Sequence, residues 1–415
     1  MTRSIELVEY ETTTLRLAPD DARRLAEAGR GAISVGLAEE PGIYTIAAQN
    51  LVGTLVSEDL KVLIRPKIRP ENVFLLLEVG LPPTAWRQEV FDYETSADLL
   101  PSVVAFFART LETTLARGVL RSYRAEEDRL VTLRGRIDMT AQFRQAGIRL
   151  PVACRFDEYT PDNAENRYLK AAARLALRVP GVLAEDRRRL LQQVVALEDV
   201  SDEVARPDDL DRISTTRLNA HYEPALRLAR LLLECLNLVD QRGEHTASSF
   251  LVDMNLLFEA FVTQRLRREL RGRLEVLDQF GTHLAEGRRV PIRPDLVFRC
   301  RGEAVYVADI KYKLTSDARA RTADHYQLLA YTTALDLPEG VLIYCLAEGR
   351  PERSVTVRHA GKVLHTLAID LTGRPAEVAD AIAELGDWLT TRAAGVERSR
   401  GAGRLGVRGR VTPTS

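Results

Sequence analysis

Apolar and polar positions follow different rhythms in successive stretches of the chain. From Ile5 to Leu17 they alternate, and short apolar runs follow at 32–37, 43–48, 51–56 and 60–64, each broken by Gly, Pro or charged residues. Alternation between such breakers predicts half-buried strands. Residues 1–120 therefore read as a β-rich domain, followed by a helix opening at Glu71 and a long apolar-periodic helix over 99–119. Between strands and helix, Arg65-Pro-Lys-Ile-Arg-Pro70 is basic and punctuated by proline. It reads either as an exposed link or as a contact for a partner or for DNA.

The rhythm lengthens over 121–245, a mixed and mainly helical middle region. A strand is expected over 130–139 with a bend at Gly135, and another over 152–156. Asn163 is placed to cap a helix over 165–178, and further helices are expected over 185–197 and 224–239. Arg134, Arg136 and Asp138 form either a salt-bridge cluster or a basic contact surface; Asp157, Glu158 and Glu165 offer another carboxylate site, but without a Lys or His partner at strand spacing they read rather as caps and surface acids. Over 246–395 the pattern gives a helix at 250–270, with Leu251, Met254, Phe258 and Phe261 on one stripe. Two β-branched and aromatic runs follow, 295–300 and 304–308, around Arg301-Gly302-Glu303. Next come a helix bearing Gln327 and Tyr331, a buried-type strand over 341–346, a later strand pair over 354–358 and 362–369, and a closing helix over 377–391. Helix, hairpin, helix and strand describe an α/β domain. Residues 396–415, rich in Arg and Gly, read as a disordered basic tail. The fold class expected is α/β (α+β).

Composition narrows the function. A formal net charge of −1 provides no global basic field, so any DNA contact has to come from local patches or from a partner. Two such patches exist: Arg265, Arg267, Arg268, Arg271 and Arg273, then Arg288, Arg289 and Arg293. Four widely spaced cysteines without a Cys-x-x-Cys pair support neither a zinc site nor a disulfide framework, and fit a reducing cytosol. There is no apolar run of about 18 residues and no basic-then-apolar leader, so a cytoplasmic protein without membrane spans is expected. A Gly-x-x-x-x-Gly-Lys-Ser/Thr loop is missing, so nucleotide hydrolysis by this chain alone is not expected.

The chemistry-bearing stretch runs from Arg293 to Tyr331. The two runs around Arg301-Gly302-Glu303 predict a β-hairpin. A three-residue loop would set Asp295 opposite Asp309; a two-residue loop would set it opposite Ala308. Asp309 and Lys311 share a strand face, roughly 6–7 Å apart at Cα. Two adjacent carboxylates raise each other's pKa unless a cation separates them. A hard ion with oxygen ligands, Mg²⁺ above all, relieves that repulsion and activates water for attack on a phosphoryl group. Lys311 beside it could orient or deprotonate that water, or neutralise charge developing on phosphate. Gln327 reads either as the partner of Asp324 in a capping box or as a hydrogen-bond partner of Lys311 or the water. Tyr331, four residues on, shares its helix face. Glu259 reads as a solvated helix acid or as a third carboxylate closing the metal site.

The series Asp295, Asp309-x-Lys311 and Gln327 resembles the PD-(D/E)xK nuclease superfamily. Four further segments extend the likeness: Arg69-Pro-Glu-Asn-Val-Phe-Leu-Leu-Leu77, Leu133-Arg-Gly-Arg-Ile-Asp138, Glu165-Asn-Arg-Tyr-Leu-Lys170 and Met254-Asn-Leu-Leu-Phe-Glu-Ala-Phe261. With them the chain resembles the McrC family, the nuclease subunits of McrBC-type modification-dependent restriction systems, over residues 65–331. The resemblance implies a C-terminal restriction-endonuclease-like domain and a partner, the McrB-like AAA+ GTPase ring that reads modified cytosine in DNA. It also implies an N-terminal region that engages that ring. Glu259, Asp295, Asp309 and Lys311 stand where the superfamily places its acids and lysine.

Overall fold

The computed structural model describes residues 3–29, 32–57, 60–77, 99–143, 150–202, 216–240, 250–312, 318–346 and 353–407. The chain divides into two compact units, one drawn from 1–78 and 251–415 and the other from 98–250. The two ends, expected from the sequence to form separate domains, thus share one unit, and the middle region is inserted between them.

The N-terminal part of the first unit runs β1 (Arg3–Val8), β2 (Thr12–Arg16), α1 (Pro19–Ala28), β3 (Ile33–Leu37), β4 (Ile43–Ala48), β5 (Leu51–Ser57), β6 (Leu60–Arg65) and α2 (Pro70–Leu77). The alternation over 5–17 is two strands, broken at Tyr10, whose φ of 58° leaves the β region. α1 was not anticipated, although Pro19 in its first turn and Asp20 and Asp21 beside the helix N-terminus favour it. β2, β4 and β3 form one antiparallel sheet. β1 lies parallel to β6, and β6 antiparallel to β5. Ile5, Leu7, Leu25, Ile46, Leu55 and Ile64 fill the space between them. The buried side chain of Asn72 on α2 donates to the backbone oxygens of Leu371 (2.5 Å) and Gly373 (2.8 Å), which ties this part to the far end of the chain.

The second unit consists of α3 (Leu99–Leu115), β7 (Ser122–Leu130), β8 (Arg136–Ile137), α4 (Met139–Phe143), β9 (Val152–Thr160), α5 (Ala164–Ala176), α6 (Ala184–Ala196) and α7 (Glu223–Asp240). Asn163 caps α5 as expected, accepting from the Asn166 amide. α3 is buried nearly all round, with Phe106, Phe107 and Leu111 at its centre. The cluster expected around Arg134, Arg136 and Asp138 resolves into pairs with β9: Asp138 with Arg155 at 2.8 Å and Arg134 with Glu158 at 3.5 Å. β7 and β9 pair along their whole length, and Tyr123, Val131, Leu133, Phe143, Leu150 and Tyr159 around them are exposed.

The first unit resumes with β10 (Phe250–Asp253), α8 (Met254–Glu269), β11 (Glu275–Asp278), β12 (Thr282–Ala285), β13 (Arg289–Ile292), β14 (Leu296–Cys300), β15 (Glu303–Lys311), α9 (Ala318–Ala334), β16 (Glu339–Leu346), β17 (Arg353–Thr356), β18 (Val363–Asp370) and α10 (Pro375–Val407). The helix expected over 250–270 begins only at Met254, because the Asp253 side chain caps it by accepting from the Asn255 and Leu256 amides. The residues before the cap join β5 as a strand. α10 likewise continues to Val407 through part of the stretch expected to be disordered. Ala393 and Val396 are buried along it; residues 408–415 lie outside the described residues.

A six-stranded mixed sheet, ordered β11-β14-β15-β16-β18-β17, forms the frame of this part. β15 and β16 run parallel, and the chain crosses between them through α9, as parallel neighbours require. On one face Val297, Val307 and Leu342 pack with Leu328 and Tyr331 of α9. On the other, Tyr306 meets Trp388 of α10 and Tyr312 meets Phe258 of α8. Among the described residues no helix is long and apolar enough to cross a membrane.

Gly340 sets how closely α9 approaches the sheet. A Cβ there would lie 2.9 Å from Thr332 Cγ2 and 3.0 Å from Leu328 Cδ1 and Val307 Cγ1. Gly340→Val should destabilise the protein by about 1–3 kcal/mol through overpacking, read as a lower denaturant midpoint at unchanged slope. An unaltered midpoint would show that the helix does not rest on this position.

Candidate active site

The hairpin turn is the two-residue Arg301-Gly302, with φ of 52° and 84° as a type I′ turn demands. Next to it Arg299 pairs with Ala304; past a bulge, Phe298 pairs with Tyr306 and Leu296 with Ala308. The extra residue of the bulge is Val305. Both loop expectations therefore meet in one hairpin. The short turn sets the register at the tip, and the bulge shifts it by one residue, so that the ladder, continued by one step, brings Asp295 opposite Asp309.

Side chains alternate along β15, so Asp309 and Lys311 share the face of Val307, which is the face toward α9. Asp309 is fully buried, and Lys311 Nζ stands 2.8 Å from its Oδ2. Its Oδ1 has no hydrogen-bond partner among the described residues. Asp295 Oδ2 accepts the Ile310 amide at 2.8 Å, which fixes that carboxylate to the neighbouring strand. Burial pushes the Asp309 pKa up, the Asp295 charge adds to the rise, and Lys311 opposes it. For Lys311, burial works against the ammonium, but the combined pull of Asp309, Asp295 and Asp324 prevails and the pKa is raised. Glu259 is raised by burial and then by Asp295, while its hydrogen bond from Gln279 Nε2 opposes the shift.

The α9 residues do not form the capping box. The helix begins at Ala318, so Asp324 lies well inside it and caps nothing; it is buried and accepts the Tyr344 hydroxyl at 2.6 Å. Gln327 Nε2 donates to Tyr331 Oη at 2.6 Å, and that hydroxyl donates to the Arg293 carbonyl at 3.2 Å. Gln327 and Tyr331 thus hold the segment entering Asp295 rather than Lys311 itself. Of the basic patches, Arg267 pairs with Asp278, Arg273 with Asp387, and Arg293 Nε donates to the Gln279 carbonyl. Arg268, Arg271, Arg288 and Arg289 are exposed.

The structure brings Asp295, Asp309 and Lys311 together and keeps Glu259 with Gln279. Among the described residues no three His, Cys, Asp or Glu side chains form a group able to hold a metal. The donor chemistry of the pair nevertheless suits a hard cation. It offers carboxylate oxygens only, one of them buried and without a hydrogen-bond partner, beside a second carboxylate.

One group near the site went unnoticed in the sequence. Glu9, just past the end of β1, continues the buried alternation of Ile5 and Leu7, and it is fully buried. Its Oε1 accepts both the Tyr312 hydroxyl and the Lys67 amide at 2.7 Å. Burial pushes its pKa up to about 7, against the pull of the Lys67 amide and of Tyr312. An acid at an inward place in a strand's alternation was the available signal.

That shift has a consequence for stability. The folded carboxyl holds its proton more tightly than the unfolded one, near 4.5. Its contribution is therefore complete below pH 4.5 and lost as pH rises through about 7. Glu9→Gln cannot titrate, so between these limits it should gain on the wild type by an amount on the order of 3 kcal/mol. Parallel curves of unfolding free energy against pH for the two proteins would contradict this.

The family model described as McrBC 5-methylcytosine restriction system component matches residues 46–345. Two solved structures from Thermococcus gammatolerans are similar. One is the refined half-complex from a tetradecameric assembly of McrB AAA+ hexamers with bound McrC, at 19% identity and a TM-score of 0.50, covering 92% of this chain and 100% of that chain. The other is the cryo-EM structure of the McrBC complex, at 23% identity and a TM-score of 0.42, covering 65% of this chain and 88% of that chain. At these identities the first likeness is one of fold. No curated protein matches the chain.

Proposed function

We propose, for a chain that belongs to the McrBC 5-methylcytosine restriction system component family, that Asp295, Asp309 and Lys311 are the centre of a Mg²⁺-dependent DNA endonuclease. The observation that carries this reading is the buried Asp309, set toward Asp295 and ion-paired with Lys311 at 2.8 Å. Burying a charged pair costs several kcal/mol per ion before any compensation. A packed apolar pair would serve the sheet better, so the arrangement is explained by chemistry rather than by folding.

In this reading Asp295 and Asp309 hold Mg²⁺, with Glu259 as the nearest further carboxylate. The bound ion supplies a water of lowered pKa and polarises a phosphoryl oxygen. Lys311, kept protonated by Asp309, places a positive charge where negative charge grows on the scissile phosphate. Tyr331 and Gln327 hold the backbone at Arg293 and so keep Asp295 in place. Arg288 and Arg289, exposed on the approach to the hairpin, contact phosphates without reading sequence. The chain acts as the nuclease subunit of a modification-dependent restriction complex. Modified cytosine is selected by an AAA+ GTPase ring of the McrB kind, and this chain stimulates that ring. The exposed apolar surface around β7 and β9, which includes Leu133 of the family-like segment 133–138, is of the kind that marks a protein interface. We assign the ring contact to this surface of the middle region, in place of the N-terminal region that the resemblance implies.

Asp309→Ala and Lys311→Ala should each lower DNA cleavage by a factor on the order of 10²–10³ or more. Both should keep ring binding and stimulated nucleotide hydrolysis, assayed with partner, Mg²⁺ and methylated DNA. Undiminished cutting by either variant refutes the assignment. Stimulated nucleotide hydrolysis without DNA breaks in the wild type would instead make the chain an activator on a nuclease-like frame. Arg289→Ala should weaken DNA binding at all sequences and reduce the salt slope by about one. A loss confined to particular sequences would place this arginine at base edges.

A further inference from the structure

The end of β15 has little sheet to hold it. Pairing with β14 stops at Ala308 and pairing with β16 stops at Lys311. Tyr312, the next residue, is gripped instead from the start of the chain. Its hydroxyl donates to Glu9 Oε1 at 2.7 Å, and its carbonyl accepts the Tyr10 hydroxyl at 3.2 Å. Its ring is almost fully buried, with the rings of Phe258 at 5.9 Å and Tyr10 at 6.5 Å.

Two local costs converge on this contact. Glu9 is a buried carboxyl, and its Oε2 has no hydrogen-bond partner among the described residues. Tyr10 adopts a φ of 58°, a conformation that bulky side chains rarely take. Neither side chain is needed to extend the β1–β6 ladder, which continues through the Glu9 backbone amide to Arg65 O. What both side chains have in common is Tyr312.

We infer that Glu9 and Tyr10 are positioning residues for the nuclease site: they clamp Tyr312 by hydroxyl and carbonyl, and so fix the end of β15 with Lys311 facing Asp309. This rests on the reading of Lys311 as a working residue of that site. Neither Glu9 nor Tyr10 is among the reacting groups; each acts one residue removed, through the strand. The first strand of the chain thereby becomes part of a catalytic arrangement whose acids and lysine all lie more than 250 positions later.

The test uses the full chain with its AAA+ partner, Mg²⁺ and methylated DNA. Tyr312→Phe keeps the ring in its packing and removes only the hydroxyl. It should lower kcat for cleavage about tenfold to a hundredfold, with KM for DNA and the thermal midpoint nearly unchanged. Glu9→Ala should lose a similar factor, the double variant should be no worse than either alone, and Glu9→Gln, which keeps an acceptor at Oε1, should restore most of the rate. In parallel, amide exchange at Ile310, Lys311 and Tyr312 should accelerate in Tyr312→Phe while the rest of the sheet is unaffected. Wild-type kcat in both Tyr312→Phe and Glu9→Ala overturns the clamp, as does a loss that is fully additive. If the wild-type chain itself cuts no DNA, the nuclease reading fails separately, and exchange alone judges the clamp: local acceleration upholds it and unchanged exchange overturns it.

Discussion

A carboxylate withdrawn entirely from water needs compensation, and Asp309 receives it from one ammonium only partly withdrawn itself. The neighbouring acid, Asp295, makes the situation worse, not better. Removing one partner from such a pair leaves a buried charge without relief and costs more than the pair contributes. The surroundings of β15 are arranged to keep the pair intact. The bulge at Val305 sets the register, the Ile310 amide holds Asp295, and α9 closes over the same face with Leu328 and Tyr331.

This explains a division of labour between the two faces of the sheet. The face toward α8 and α10 is aromatic, with Tyr306 on Trp388 and Tyr312 on Phe258, and it supplies rigidity. The face toward α9 carries the polar groups, and there each nearby side chain is tied to another: Gln327 to Tyr331, Tyr331 to the Arg293 backbone, and Tyr344 to Asp324. In the proposed nuclease, such locked neighbours keep the acids and the lysine within the narrow tolerances that catalysis demands.

Much of the site was legible in the sequence because strands have a period of two and hairpin turns have their own chemistry. Arg301-Gly302 announced the turn, and the spacing of Asp309 and Lys311 announced a shared face. The bulge was not legible, since nothing in the apolar run over 304–308 singles out Val305, and without it the loop alternatives could not be reconciled. Helix ends were misjudged where a polar residue had two uses. Asp253 ends a strand and caps a helix, which split the run over 250–270 in two. Asp324 looked like a cap because the six residues before it, 318–323, carry no large apolar side chain that would reveal the earlier start of α9. Contacts far apart in the chain, such as Glu9 with Tyr312, have no local pattern. Only the placement of an acid among inward apolar positions hinted at one.

β10 joins the N-terminal sheet beside β5, some two hundred residues after β5 is made. A ribosome that has released only the first half of the chain has therefore produced a sheet with one margin still open, and none of the six-stranded sheet that carries Asp309 and Lys311. The interior segment of 98–250 has to be synthesised before that margin can close. The meeting of Asp295, Asp309 and Lys311 thereby waits on the later part of synthesis, and a chain broken off before β15 is left without it.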